Sequence, residues 1–264
     1  MKLKIPTGLA LALMLTFAVV SNSQAADKIG VILMHGKWGT TAPKSPVVIL
    51  AKSLRSEGFL VVTPEMPWSR DRQYDKDYEE SMAEIDKVVA KLKADGATKI
   101  VVGGHSMGAN AALGYGARHN GLAGVLAIGP GHVPEIVFWK TKLKDDIAKA
   151  HKMVAAGNGS QQARFKDLNQ GEKKTLNIPA SRYLSWFDPD GPSPMPKNAA
   201  NLKPGTPLMW IHGENDKGNV KRGKGYIFDK APPHPKSTYV VIGGGHKATP
   251  TRGSKNIIDW LKTL

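Results

Sequence analysis

The residues that most constrain the fold run from Lys99 to Leu113. The stretch begins with an apolar, β-branched run at 100–102, which is typical of a strand covered on both faces. The pattern G-x-S-x-G follows at 104–108, with Ser106 at its centre, and then an alanine-rich segment. A serine in a sharp strand-to-helix turn has a strained backbone, and bulky residues two positions away would collide with it. We therefore predict a strand, a tight turn and a closely packed helix, with Ser106 exposed at the carboxyl end of the strand.

A bare G-x-S-x-G pattern is a modest signal, because glycine and serine are common residues. The motif formed by Gly104, Ser106 and Gly108 is a stronger signal in this context, because a β-branched run precedes the turn and small residues follow it. His105 lies inside this turn, and we expect it to point away from the side on which Ser106 is exposed. The interpretation then depends on whether the chain also supplies partners for the serine.

A serine hydroxyl needs a base within hydrogen-bond reach, and the base needs an acid that orients it. Asp216 follows a predicted strand at 208–212, and His246 lies in a glycine-rich loop after a predicted strand at 239–242. We therefore predict Ser106 as nucleophile, His246 as base and Asp216 as the orienting acid. Four other acids are rivals of Asp216: Glu65, Asp188, Asp190 and Glu214. His35 and His212 lie at strand ends near the site, where we expect them to satisfy backbone groups. The remaining histidines are interpreted as loop or helix-surface residues: His119, His132, His151 and His234.

Strand-like and helix-like segments alternate along the chain. Further strands are predicted at 29–34, 59–63 and 122–128, and helices at 45–57, from 78 to near Gly96, and at 254–264. Such alternation predicts an α/β fold, a mostly parallel sheet of about six strands with helices on both faces. Small-molecule sites in such sheets lie at the carboxyl ends of the strands, where Ser106 and the pair His35–Gly36 fall.

The alternation weakens between residues 132 and 204. The segment 136–156 has helical spacing, and we predict a second helix at 161–169. Because the segment is too long for a simple connection, we predict a small cap inserted into the domain. Its apolar side chains either line an acyl pocket or pack the cap onto the body, and packing is favoured for any single one: Phe138, Trp139, Tyr183, Trp186, Phe187 and Met195.

The amino-terminal residues have the pattern of a secretory signal peptide. Lys2 and Lys4 precede an apolar run at 9–20, and small residues follow at 25–26. The run of about 12 residues is too short to span a bilayer comfortably. We therefore predict a signal peptide at 1–25, a single α/β domain at 26–264, and a periplasmic or secreted protein without a membrane span after cleavage.

The composition is that of a globular protein, with 41% hydrophobic and 22% charged residues. The chain has no cysteine, which excludes disulfides and lipid attachment through cysteine. The formal net charge is +15, with 37 Lys and Arg against 22 Asp and Glu. The basic residues are spread along the chain without an arginine-rich block, so we expect a solvated basic surface and no nucleic-acid partner.

These motifs together resemble those of serine hydrolases of the α/β-hydrolase superfamily, over nearly all of residues 26–264. The resemblance implies a Ser-His-Asp triad, no metal and no organic cofactor; carboxylesterases, lipases and thioesterases are typical members. It also implies an oxyanion hole made by the backbone N–H of Met107 and by that of Lys37, with Trp38 as the alternative. The chain departs from the family in lacking the hairpin before the His35–Gly36 strand, so a smaller sheet is expected.

The resemblance favours an enzyme that cleaves a carboxylic ester or thioester of a small-molecule acyl substrate. Acyl transfer, or cleavage of an amide or carbon–carbon bond, would use the same residues, and the fold also occurs in non-catalytic binding proteins.

Overall fold

The structure is a computed structural model that describes residues 27–264 together with Met1. The predicted signal peptide therefore lies, apart from Met1, outside the described residues. Within residues 27–264, no helix is both long enough and apolar enough to cross a membrane.

Strands and helices alternate along most of the described chain, as predicted. The strands are β1 (Ile29–Met34), β2 (Leu60–Val62), β3 (Lys99–His105), β4 (Gly124–Ile128), β5 (Gln162–Asn169), β6 (Glu172–Pro179), β7 (Leu208–Gly213) and β8 (Thr238–Ile242). The helices are α1 (Pro46–Ser56), α2 (Tyr78–Ala94), α3 (Met107–Arg118), α4 (Val137–Ala155), α5 (Ala180–Phe187), α6 (Met195–Ala200), α7 (Lys217–Arg222), α8 (Thr249–Arg252) and α9 (Ser254–Leu261).

Six of these strands form one sheet in the order β2-β1-β3-β4-β7-β8, and each neighbouring pair is parallel. The chain passes from β1 to β2 on one side and then returns to β3 on the other side of β1. The loops that leave β1 and β3 therefore part at the carboxyl edge of the sheet, which is where such sheets bind ligands. The predicted α/β architecture is confirmed.

The sheet is covered on both faces, which explains its nearly continuous apolar strands. Along β1, Ile32 packs in the layer that contains α2 and α3, whereas Val31 and Leu33 pack in the layer that contains α1 and α9. The helix boundaries have local causes as well. At the start of α2, Asp77 and Glu80 each accept a hydrogen bond from the other's backbone N–H, which satisfies two donors of the first turn.

The segment 132–204 holds the three helices α4, α5 and α6 and a hairpin. Helix α4 matches the helix predicted at 136–156, but the helix predicted at 161–169 is wrong. Those residues form β5, which pairs in antiparallel fashion with β6. Gln170 and Gly171 make the tight turn, and both have positive φ, 50° and 89°. Such a two-residue turn matches the twist of a hairpin. In β6, Leu176 and Ile178 are buried and Asn177 between them is exposed, which is the alternation expected of a strand with one buried face.

Candidate active site

Ser106 occupies the turn between β3 and α3 in a strained conformation, with φ 56° and ψ −113°. Positive φ is costly for a residue with a side chain and clusters at functional sites. The flanking glycines make the turn feasible. A Cβ added at Gly108 would lie 2.4 Å from the carbonyl oxygen of Met34, and one at Gly104 would lie 2.6 Å from the carbonyl carbon of Gly108. The structure therefore requires glycine at both predicted positions.

Asp216 and His246 meet at the same edge of the sheet, because they follow the adjacent strands β7 and β8. The His246 Nδ1 atom lies 2.6 Å from Asp216 Oδ2, and Asn219 donates to both carboxylate oxygens. Burial by itself raises the pKa of Asp216, but the hydrogen bonds from His246 and Asn219 outweigh it and lower that pKa to about 2. The carboxylate is thus ionised at neutral pH and aligned with the imidazole.

His105 packs behind this pair rather than beside the serine hydroxyl. Its ring centroid lies 4.7 Å from that of His246, and its Nε2 lies 2.9 Å from the backbone oxygen of His246. Burial, together with the nearby His246, lowers the pKa of His105 to about 3. A neutral ring that faces a carbonyl oxygen must donate from Nε2, so His105 supports the loop that carries His246.

Ser106, Asp216 and His246 line one cavity of about 500 Å³, which we call the histidine-side cavity. Gly131 lies against the serine, because a Cβ added there would be 2.7 Å from Ser106 Oγ. Among the described residues, the serine hydroxyl makes no hydrogen bond to the imidazole. Catalytic hydrogen bonds are often formed only when substrate is bound.

The loop after β1 passes directly beside Ser106. A Cβ added at Gly36 would lie 3.1 Å from Ser106 Cβ. The Trp38 N–H donates to the carbonyl of Trp68 at 2.9 Å and is therefore occupied. Within the described part of the chain, the N–H groups of Lys37 and Met107 donate no hydrogen bond. Of the two predicted alternatives in this loop, Lys37 is the one whose N–H is available to a ligand.

The Lys37 side chain makes a buried ion pair that sequence reasoning missed. Its Nζ lies 2.5 Å from Asp167 Oδ1 and 3.1 Å from the carbonyl oxygen of Leu168 in β5. The other carboxylate oxygen, Asp167 Oδ2, accepts from Trp38 Nε1 at 2.8 Å and from the Tyr74 hydroxyl at 3.1 Å. Burial lowers the pKa of Lys37, and the adjacent carboxylate opposes that shift. The signal in the sequence is weak, because Asp167 stands between Lys166 and Leu168, and a helical interpretation of 161–169 hides that it lies in a strand.

Comparison with known proteins identifies the family. A model of the alpha/beta hydrolase family matches residues 31–253. The chain belongs to the alpha/beta hydrolase family. No curated protein sequence matches it.

Solved structures share the fold of this hydrolase-family chain at low sequence identity. They include a thermostable carboxyl esterase from Bacillus coagulans in complex with glycerol, with 14% identity, a TM-score of 0.64, and 91% of each chain covered. A monoacylglycerol lipase from Paleococcus ferrophilus has 18% identity and a TM-score of 0.61, with 89% of this chain and 94% of that one covered. The enzyme Est1E from Butyrivibrio proteoclasticus with bound ferulic acid has 15% identity and a TM-score of 0.59, with 90% and 89% covered.

Most of the rival histidines of this alpha/beta hydrolase chain have structural partners. His35 accepts from the backbone N–H of Met66, His212 contacts the Tyr239 hydroxyl, and His132 Nε2 lies 2.7 Å from the carbonyl oxygen of Trp186. No group of three or more His, Cys, Asp or Glu side chains in residues 27–264 has an arrangement that could hold a metal ion.

The apolar side chains of the inserted segment divide between the two alternatives that the sequence leaves open. Trp139 lines the histidine-side cavity. Phe138 is exposed. The other four are buried in the core and pack the insertion onto the body: Tyr183, Trp186, Phe187 and Met195.

Proposed function

We propose that this protein is a serine hydrolase that cleaves a carboxylic ester or thioester through an acyl-enzyme on Ser106. The observation that carries the proposal is the Asp216–His246 pair, 2.6 Å apart, which lines the same cavity as a strained serine. Family membership supports a hydrolase, and the structural neighbours include an esterase and a lipase.

In the proposed reaction, Ser106 Oγ attacks the carbonyl carbon and its proton passes to His246 Nε2. Rotation of the serine side chain about χ1 brings the hydroxyl from Gly131 towards the imidazole. The carbonyl oxygen becomes negatively charged and accepts hydrogen bonds from the N–H groups of Met107 and Lys37, which stabilise that charge. The bond to the leaving alcohol or thiol then breaks, and that group takes the proton from Nε2.

The acyl group is released by the same steps with water as the nucleophile. Water gives its proton to His246 as it attacks the acyl carbon, and Ser106 recovers the proton when the acid leaves. Asp216 stays ionised throughout, because its pKa of about 2 is far below neutral pH. Its role is to hold the imidazole tautomer and to stabilise the imidazolium.

The test is hydrolysis of a panel of aryl esters that differ in acyl length. Ser106→Ala is expected to abolish turnover and labelling by a fluorophosphonate probe. Ser56→Ala, at an exposed position of α1, serves as the matched control and should keep both. Turnover by Ser106→Ala, or failure of the probe to label Ser106 in the folded protein, contradicts the proposal.

We also propose that the chain is exported to the periplasm or secreted, from the signal-like pattern of residues 1–25. The mass of the mature protein from its source cells tests this. Cleavage after Ala25 supports export, and an intact amino terminus in the cytoplasm contradicts it.

A further inference from the structure

The carbonyl of a substrate bound at Ser106 would lie between two cavities. The histidine-side cavity contains His246, which must protonate the leaving group. The second, the loop-side cavity, has a volume of about 320 Å³ and lies against Ser106 and the Lys37–Trp38 loop. His246 does not line it. The leaving group therefore belongs in the histidine-side cavity, and the acyl group in the loop-side cavity.

The loop-side cavity carries an excess of positive charge. Arg70, Lys174 and Lys247 line it and are exposed. None of the three pairs with a carboxylate in the described part of the protein. Among the described residues that line this cavity, Glu172 is the only carboxylate. The buried charge of Lys37 is already balanced by Asp167.

The three cations come from separate parts of the chain: the loop after β2, strand β6 and the loop after β8. Lys174 is held over the Trp38 ring, with Nζ 4.2 Å from the ring centroid, which places its charge at the wall of the cavity. Cations that face one concave surface attract an anion more strongly than the same charges spread over a convex surface.

We propose that the acyl half of the substrate carries an anionic group, such as a carboxylate, which binds between Arg70, Lys174 and Lys247. This proposal rests on the proposed ester hydrolysis and names its substrate class. The enzyme then prefers half-esters of dicarboxylic acids over neutral esters of the same acyl length.

Two chromogenic esters test the preference: the 4-nitrophenyl ester of hexanoic acid and the mono-4-nitrophenyl ester of adipic acid. Their acyl chains have equal length and differ in charge at the far end. After the rate with Ser106→Ala is subtracted, kcat/KM is expected to be about tenfold or more higher for the adipate ester at low salt. The preference should shrink as NaCl rises to about 0.5 M, because salt screens exposed charges.

Variants that replace each cation with a neutral residue show which side chains cause the preference for the adipate ester. Lys174→Gln, Arg70→Gln and Lys247→Gln are each expected to reduce the adipate-to-hexanoate ratio by about 1.5- to 5-fold, and the triple variant should remove the preference. Lys93→Gln is the matched control, because Lys93 is exposed in the last turn of α2, which leads to the opposite edge of the sheet.

The outcomes separate this proposal from the one that it rests on. Hexanoate hydrolysis that depends on Ser106, without a preference for adipate, overturns the anionic substrate class and leaves ester hydrolysis standing. An equal decrease in Lys93→Gln also overturns it. Absence of Ser106-dependent hydrolysis of both esters overturns both proposals.

A second inference follows from the hydrogen bonds of Asp167, which is fully buried in β5. We infer that Asp167 is a positioning residue, which holds the Lys37–Trp38 loop so that the Lys37 N–H faces Ser106. Trp38 has a strained φ of 54°, and both Lys37 and Trp38 donate to this one carboxylate. Because a buried lysine without its partner is strongly unfavourable, the carboxylate decides where the loop lies.

Asp167→Ala is expected to lower kcat by about 10- to 100-fold, with KM changed by less than about threefold, because a displaced oxyanion donor acts on the transition state. Asp146→Asn is the matched control. Asp146 also anchors β5, through the backbone N–H of Lys166, but it does not contact the Lys37–Trp38 loop. It should lower thermal stability and leave kcat per folded molecule near the wild-type value.

The double variant Lys37→Met/Asp167→Asn removes both buried charges and keeps an oxygen acceptor for Trp38 and Tyr74. It is expected to restore kcat to within about tenfold of wild type. Folded Asp167→Ala with wild-type kcat overturns the inference, as does an equal kcat loss in Asp146→Asn. Where Asp167→Ala does not fold, Trp38→Phe decides: a lower kcat at unchanged KM supports the inference, and a wild-type kcat overturns it.

Discussion

The two sides of the candidate site are built in different ways. The sheet side consists of the loops after β3, β7 and β8, which carry Ser106, Asp216 and His246. The insertion side consists of the Lys37–Trp38 loop and the β5–β6 hairpin that supports it. Both sides contain a strained residue, Ser106 with φ 56° and Trp38 with φ 54°.

Support for the two strained residues comes from very different distances along the chain. Ser106 is accommodated by glycines two positions away, whereas the Trp38 loop is held by Asp167, which lies 130 positions from Lys37. A site residue can therefore depend on its immediate neighbours or on a segment inserted elsewhere. The two kinds of support should fail differently when residues are changed.

Among variants that leave Ser106 in place, the largest effect is expected on the sheet side, from Asp216→Asn. The amide cannot stabilise an imidazolium as a carboxylate does, so kcat for aryl esters should fall by about 10²- to 10⁴-fold. Glu214→Gln, an exposed acid two residues earlier, is the control and should keep its activity. Equal losses in the two variants would show that Asp216 has no special role.

Gly108→Ala tests how closely the serine turn is packed. The added methyl would lie 2.4 Å from the Met34 carbonyl oxygen, so the backbone must shift. A loss of about 1–3 kcal/mol in the free energy of unfolding is expected, together with reduced activity. Gly225→Ala, where the nearest atom would be 3.9 Å away, should be tolerated. Urea unfolding measures both variants, and equal stability would contradict the local constraint.

Tyr74→Phe is a smaller change, and it tests how Asp167 is held on the insertion side. It removes one hydrogen bond to Asp167, at 3.1 Å, and leaves the bonds from Lys37 and Trp38 in place. A loss of about 1–2 kcal/mol in stability is expected, because a buried charge loses one donor. The decrease in kcat should be several-fold, less than for Asp216→Asn. A decrease in kcat as large as that of Asp216→Asn would mean that the two sides do not differ in this way.

The last expected effect is a dependence of stability on pH, which both sides of the site share. Burial lowers the pKa of His35, His105 and His132 below the usual 6.5, in the case of His105 to about 3. Below pH 6.5 the unfolded chain therefore binds more protons at these positions than the native chain does. Stability should therefore fall as the pH falls, by about 1.4 kcal/mol per pH unit for each proton.

Urea unfolding between pH 7 and pH 5 measures this slope. Asp216 contributes only at lower pH, because its stabilisation is lost below about 3.8 as the pH approaches 2. His105→Asn on the sheet side and His132→Asn on the insertion side should each reduce this slope by up to about 1.4 kcal/mol per pH unit, which is the contribution of one proton. A free energy of unfolding that does not change over this range would contradict the neutral burial of these histidines.

Much of the sheet side could be predicted because its signals are local. The β-branched run at 100–102 and the glycines around Ser106 predict a strand and a sharp turn from neighbouring residues alone. The sequence does not predict strand β5, because its apolar residues are few and its turn, Gln170–Gly171, lacks the asparagine or aspartate that usually marks such turns. The hairpin is stabilised by contacts with the body, and those contacts leave no periodic pattern in 161–169.

Local chemistry along the chain was enough to settle the parallel sheet, the serine turn, and the order in which Ser106, Asp216 and His246 follow their strands. Parallel strands place their carboxyl ends at one edge, so residues far apart in the chain were expected there together. The packed fold alone decided that the Lys37 side chain points inward and that Asp167 receives it. The reason is that a buried charge needs an oppositely charged partner close to it in space. Asp167 is far from Lys37 along the chain, so the residues next to Lys37 do not indicate it.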